Sequence, residues 1–145
     1  IKYMKKLLLS LGLLTVMAMP ACAEKYATVN VDYAMSKFPA AQQATDALRQ
    51  EEIKIQKFVL NARQDLEKTP AAQKKAKEDK YNKDLQAMAL NLKKLEEAKG
   101  KAIYAQFNTA VQSVAKAGNY SLVVPVALYG ATDITEDVIK ALNKK

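Results

Sequence analysis

The stretch Leu66-Glu67-Lys68-Thr69-Pro70-Ala71-Ala72-Gln73 decides how this chain is organised. Proline breaks a helix interior, yet it suits a first helical position, where its missing N–H removes no bond. Thr69 is a good N-cap for a helix that would follow. Residues 68–70 therefore read as a turn, and both flanks read as long helices. On the N-terminal side, residues 40–67 carry Ala41, Ala44, Leu48, Ile55, Phe58, Ala62 and Leu66. Most steps alternate three and four, the seam of a coiled coil. Glu51 interrupts that seam, and Ile53, Val59 and Leu60 lie off it.

On the C-terminal side the seam is Tyr81, Leu85, Met88, Leu92 and Leu95, then Ile103, Phe107, Ala110, Val114 and Ala117. The spacing slips by one residue between Leu95 and Ile103, with Gly100 inside the slip, which predicts a local change of twist. Gly118 is the expected residue just past the helix end, with Lys116 favourable in the last turn. At 1.5 Å per residue the first helix spans about 42 Å and the second about 72 Å. The unpaired base of the longer helix must bury Ile103, Phe107, Val111 and Val114 elsewhere. Short β segments are the natural place.

Tyr26-Ala27-Thr28-Val29-Asn30-Val31 alternates a polar with an apolar face and reads as a strand. Asp32 is the expected cap of a short helical turn through Met35, and Pro39 breaks the pattern after Phe38. Strands are expected again at Tyr120-Ser121-Leu122-Val123-Val124 and at Val126-Ala127-Leu128-Tyr129, with Pro125 between them and a loop at residues 130–133. A last helix follows, with Thr135 as N-cap and Ile134 stapled on Ile139. The fold class is α+β: a long antiparallel coiled-coil hairpin, or tentacle, projecting from a small β body. Residues 24–39 and 103–145 make the body, and residues 40–102 make the hairpin. Three short strands leave open edges and too little core. The body is therefore expected to be completed by oligomerisation, with Val29, Val31, Leu122, Val124, Val126 and Leu128 as its shared core.

Residues 1–23 carry the pattern of an export signal. Met4-Lys5-Lys6 is a short positive region, residues 7–18 are almost unbroken apolar, and Ala21-Cys22-Ala23 is an A-x-A cleavage site. Cleavage is expected after Ala23, and the destination is the periplasm. The apolar run is short of the roughly 20 residues a spanning helix needs. Cys22 raises lipid attachment as an alternative, although Pro20 fits that signal badly. Removing Lys2, Lys5 and Lys6 lowers the basic count from 23 to 20 against 15 acidic residues, a formal +5. In an exported protein such a charge favours acidic polypeptides or anionic lipid over nucleic acid.

Enzyme chemistry is not expected. The chain has no histidine, and its one cysteine, Cys22, leaves with the signal. That removes His-based triads, thiol nucleophiles and His/Cys zinc sites. The acidic pairs at Glu51-Glu52, Asp65/Glu67, Glu78-Asp79 and Glu96-Glu97 sit among lysines on charged helices and are assigned no catalytic role. Gly100, Gly118 and Gly130 are too widely spaced for a phosphate loop, so no nucleotide and no other cofactor is implied.

The order of elements resembles the Skp/OmpH family of periplasmic chaperones. The likeness runs through Tyr26-Ala-Thr-Val-Asn-Val-Asp32, Lys37-Phe38-Pro39-Ala40-Ala41, Ala110-Val-Gln-Ser-Val-Ala-Lys116, Tyr120-Ser-Leu-Val-Val124 and Asp133-Ile-Thr-Glu-Asp-Val-Ile-Lys140. The resemblance implies a homotrimer whose hairpins enclose a cavity. It also implies that unfolded outer-membrane β-barrel proteins are held there without ATP. Client-contact candidates are the apolar residues Ile53, Val59, Leu60 and Met88, which either meet client or pack within and between hairpins. Lys68, Lys74, Lys75, Lys77, Lys80 and Lys83 form a basic tip. It either attracts acidic client segments, anionic lipid or lipopolysaccharide, or is a solvated helix surface with pairs such as Asp79–Lys83. The alternative function is a structural coiled-coil spacer or envelope scaffold, which shares the heptads, the signal and the charge.

Overall fold

A computed structural model describes residues 24–144 together with the backbone of Leu14 and Thr15. The expected cleavage site and most of the apolar leader lie outside the described residues. In chain order the elements are β1 (Leu14–Thr15), β2 (Tyr26–Thr28), α1 (Val31–Ser36), α2 (Pro39–Lys68), α3 (Ala71–Gly118), β3 (Leu122–Val124), β4 (Thr132–Asp133) and α4 (Thr135–Asn143). The chain divides into two compact units, residues 1–43 with 100–145, and residues 44–99.

The first unit is built on a small sheet of order β1-β3-β2-β4. β2 runs parallel to β3, pairing Ala27 with Val123, and parallel to β4, pairing Ala27 with Thr132. Parallel neighbours need a long crossover, and the helices supply it. β1 lies antiparallel on the outer edge of β3. The ladder continues past the strand ends, where the Val29 N–H donates to the Val124 carbonyl at 3.0 Å and the Ile134 N–H to the Thr28 carbonyl at 2.9 Å.

The core of this unit joins Ala27, Val29, Ala34, Phe107, Val111, Ala115, Val123, Ile134 and Val138. Ile103, Phe107 and Val111 are all buried, as the unpaired base of the long helix required, and Val114 packs against the same cluster. Each large apolar side chain buried this way contributes about 1.5–3 kcal/mol.

Several local expectations are corrected. The first strand ends at Thr28, and Val31 opens α1 instead of extending the strand. Asn30, rather than Asp32, caps that helix: its Oδ1 accepts from the Tyr33 N–H at 3.0 Å. The expected strand at residues 126–129 does not form. Pro125 has no N–H to give a ladder. Gly130 at φ 82° closes a turn in which the Ala131 N–H donates to the Leu128 carbonyl at 3.1 Å. The strand that pairs with β2 is instead Thr132–Asp133, inside the expected loop.

Thr135 is not the N-cap of α4 but its first residue. The N-cap position is Ile134, which makes no side-chain cap bond; Asp133, one residue earlier, binds the first residue of the helix, its Oδ1 accepting from the Thr135 N–H at 2.9 Å and from Thr135 Oγ1 at 2.5 Å. These bonds hold the Asp133 carboxyl below its ordinary pKa, the hydroxyl contributing most and the backbone N–H next. Thr135 Oγ1 in turn accepts from the Asn30 N–H at 2.8 Å. One hydroxyl thereby ties the start of α1 to the start of α4.

α3 runs unbroken through Gly100 and includes Gly118. The left-handed residue that ends it is Asn119, at φ 54°. The Tyr120 N–H reaches the Ala115 carbonyl at 2.9 Å and the Asn119 N–H the Lys116 carbonyl at 3.2 Å, a Schellman ending. Gly118 has a different duty from the one expected: a Cβ there would collide with the Tyr120 ring.

Candidate functional site

The second unit, residues 44–99, is the paired portion of α2 and α3. Its seam is real but thin. Apart from Ala44, none of its residues is buried, and Ile55, Phe58, Leu66, Tyr81, Leu85, Leu92 and Leu95 are all half-buried. Two helices can shield only the stripe each presents to the other, so the apolar side chains keep part of their surface in water. The Phe58 and Tyr81 rings meet edge to face with centroids 5.8 Å apart. Such a pair adds about 0.5–1.5 kcal/mol beyond its buried area.

The turn is locked by a polar cluster. Asp65 Oδ2 on α2 accepts from Lys77 Nζ and from the Tyr81 hydroxyl on α3, both at 2.7 Å. Thr69 does not cap α3 as expected; its hydroxyl donates back to the Asp65 carbonyl at 2.6 Å and helps to end α2. The Lys77 bond, then the Tyr81 bond, hold the Asp65 carboxyl below its ordinary pKa. Lys77 and Tyr81 are both pushed up, in each case chiefly by their bond to Asp65.

The four apolar candidates are not brought together into one patch. Ile53 and Met88 are half-buried. Leu60 is 57% exposed, the most open large aliphatic side chain of the hairpin. Val59 lines an open groove of about 340 Å³ with Phe58, Ala62, Leu66, Tyr81 and Leu85. Arg63, Lys74, Glu67 and Glu78 also line it, and their formal charges cancel. The groove therefore offers apolar contact without net attraction. Leu90, 52% exposed, was missed by the heptad reading. Its signal was available: it falls between the seam positions Met88 and Leu92.

Of the six tip lysines, Lys68, Lys74, Lys75, Lys80 and Lys83 are exposed, while Lys77 is held by Asp65. Among the described residues the three ion pairs are Lys54–Glu51, Lys77–Asp65 and Lys140–Asp137, so Asp79 and Lys83 do not pair.

In the other unit, the expected body-core residues divide. Val29 is buried, and Val31, Leu122 and Val124 are half-buried. Val126 and Leu128 are 63% and 47% exposed on the loop after β3, next to a fully exposed Tyr129. No helix among the described residues is long and apolar enough to cross a membrane.

Two long helices with half-buried apolar side chains, continuous in chain with a small sheet whose inner strands run parallel, define an α+β protein. The family model described as outer membrane protein (OmpH-like) matches residues 25–142, and the chain belongs to that family. The OmpH-like family is one of periplasmic chaperones rather than enzymes. No curated protein matches the chain at a significant level.

Proposed function

We propose that this protein is an ATP-independent periplasmic holdase that receives unfolded outer-membrane β-barrel proteins and prevents their aggregation before insertion. The family match over residues 25–142 carries this reading. An unfolded barrel strand exposes alternating apolar side chains and unpaired backbone, a strong aggregation hazard in water. Many weak apolar contacts from Val59, Leu60 and Leu90, with Ile53 and Met88 contributing their open surface, would hold such a chain without trapping it. Folding into the membrane buries more apolar surface than the holdase covers, so release needs no nucleotide.

The working state in this proposal is a homotrimer of chains cleaved after Ala23. The exposure of Val126, Leu128 and Tyr129 supports it, because a lone subunit leaves these in water beside a sheet of very short strands. The five exposed tip lysines would attract acidic client segments and anionic lipid or lipopolysaccharide.

The deciding assay is aggregation of a urea-unfolded β-barrel, followed by light scattering without ATP. Suppression at near-stoichiometric protein is expected. A protein that leaves scattering unchanged would be a coiled-coil spacer instead.

A further inference from the structure

We propose that the groove between α2 and α3 near the hairpin turn is a docking subsite for one extended segment of an unfolded chain, about four residues long, recognised through its backbone as well as its side chains. The proposal rests on the holdase reading above and adds the chemistry by which one subsite selects its occupant. The floor is apolar: Phe58, Ala62, Leu66, Tyr81 and Leu85, all half-buried. Val59 forms an exposed apolar edge. The rim is charged, with Arg63 and Glu67 on α2 and Lys74 and Glu78 on α3, all exposed. The groove holds about 340 Å³, within the size range of sites that receive small organic groups.

The rim charges are unsatisfied. None of the four takes part in the ion pairs found among the described residues, and none of their side chains makes a hydrogen bond there. The sequence explains this. On a helix an acid four residues before a base pairs better than the reverse order. Here Arg63 precedes Glu67 and Lys74 precedes Glu78, the poorer order on both helices. Each wall of the groove therefore presents one unengaged cation and one unengaged carboxylate beside an apolar floor.

That combination selects its occupant. An anionic lipid or an acidic segment gains no net attraction from four charges that cancel. A folded helix or sheet has already paired its N–H and C=O groups. An extended unfolded segment has not: Glu67 and Glu78 accept from its N–H groups, and Arg63 and Lys74 donate to its carbonyls, in charge-assisted bonds. From Val59 to Glu67 the α2 wall runs about 12 Å, the length of about four extended residues. Alternate side chains of that segment then meet the floor about 6.7 Å apart, the apolar alternation of a barrel strand. The floor is preformed. Asp65 Oδ2 holds the Tyr81 hydroxyl at 2.7 Å, and the Phe58 and Tyr81 rings meet edge to face. Docking therefore costs the protein little ordering.

The test uses the purified full chain and a short, uncharged, end-capped peptide alternating valine and threonine, with a second peptide of the same sequence N-methylated along its backbone to delete the N–H groups. Fluorescence anisotropy gives affinity, and amide chemical shifts give location. The unmodified peptide should shift the Val59, Ala62 and Leu85 amides, and the N-methylated one should bind about tenfold more weakly. Arg63→Ala, Glu67→Ala, Lys74→Ala and Glu78→Ala combined leave the net charge unchanged. This variant should bind the unmodified peptide about tenfold more weakly and no longer distinguish the two peptides. Equal affinity of the unsubstituted chain for both peptides, or shifts confined to residues outside the groove, overturns the subsite. The peptide comparison needs no substitution, so it decides the matter even where the variant unfolds. Light scattering of an unfolded barrel on the same samples separates the two readings. Groove shifts without suppression of aggregation uphold the subsite and refute the holdase; suppression without groove shifts does the reverse.

Discussion

Lys77 Nζ lies 2.7 Å from Asp65 Oδ2 across the hairpin turn, and the Tyr81 hydroxyl shares the same oxygen. One carboxylate thus gathers two donors one helical turn apart on α3 and sets the register of α3 against α2. Lys77→Met and Tyr81→Phe each remove one donor. Both should speed amide exchange for residues around the turn, the double variant most, with little change near residue 44. Equal exchange in all variants would show that the seam alone sets the register.

The same cluster predicts a pH dependence. The folded pKa of Asp65 is depressed below 3.8, so its stabilisation is fully present above that value and disappears as pH falls through the lower folded value. Lys77 and Tyr81 are raised above 10.5 and 10.0, so their share is complete below those values and lost as pH rises through the folded ones. Turn protection should be flat from about pH 5 to 9 and fall on both sides. Tyr81→Phe should leave the acid limb in place, because Lys77 still holds the carboxylate.

Phe107 is fully buried at the centre of the sheet-bearing unit. Phe107→Ala should destabilise that unit by about 3–5 kcal/mol. Urea unfolding followed by near-ultraviolet tyrosine signal and helical circular dichroism would measure it.

Gly118 is required by the Tyr120 ring that lies where its Cβ would be. Gly118→Ala should cost about 1–3 kcal/mol through forced repacking. In the Tyr120→Ala background the same change should be nearly free, since the obstructing atoms are gone. Additive losses in the double-variant cycle would place the strain in the backbone instead.

Leu60 and Leu90 are exposed and make no part of the seam. Leu60→Lys with Leu90→Lys should change thermal stability by no more than about 0.5 kcal/mol per site, while weakening protection of an unfolded barrel. Neutralising Lys74, Lys75, Lys80 and Lys83 together should reduce binding to anionic vesicles at low salt. Lys77→Met alone should not, because its charge is already engaged.

The helices were legible before any coordinates. Observed α2, Pro39–Lys68, begins and ends one residue from the expected 40–67, and α3 follows two residues after it. Helical hydrogen bonds and the apolar stripe join residues three and four apart, so proline, threonine and heptad spacing carry their own reading. Partner choice was not legible in the same way. Val126-Ala127-Leu128-Tyr129 has strand composition yet stays in an exposed turn, while Thr132-Asp133, half of it a strand-averse acid, becomes a strand because Ala27 and Thr28 are there to pair with. Asn30 displaced Asp32 as a cap, and Lys77 was drawn from the basic tip by an acid twelve residues away. Local order thus followed from neighbours in the chain. The sheet was settled only when residues 27, 123 and 132 met in space, and the division of the lysines only when Lys77 met Asp65, because a strand has no internal hydrogen bonds and exists by virtue of its neighbours.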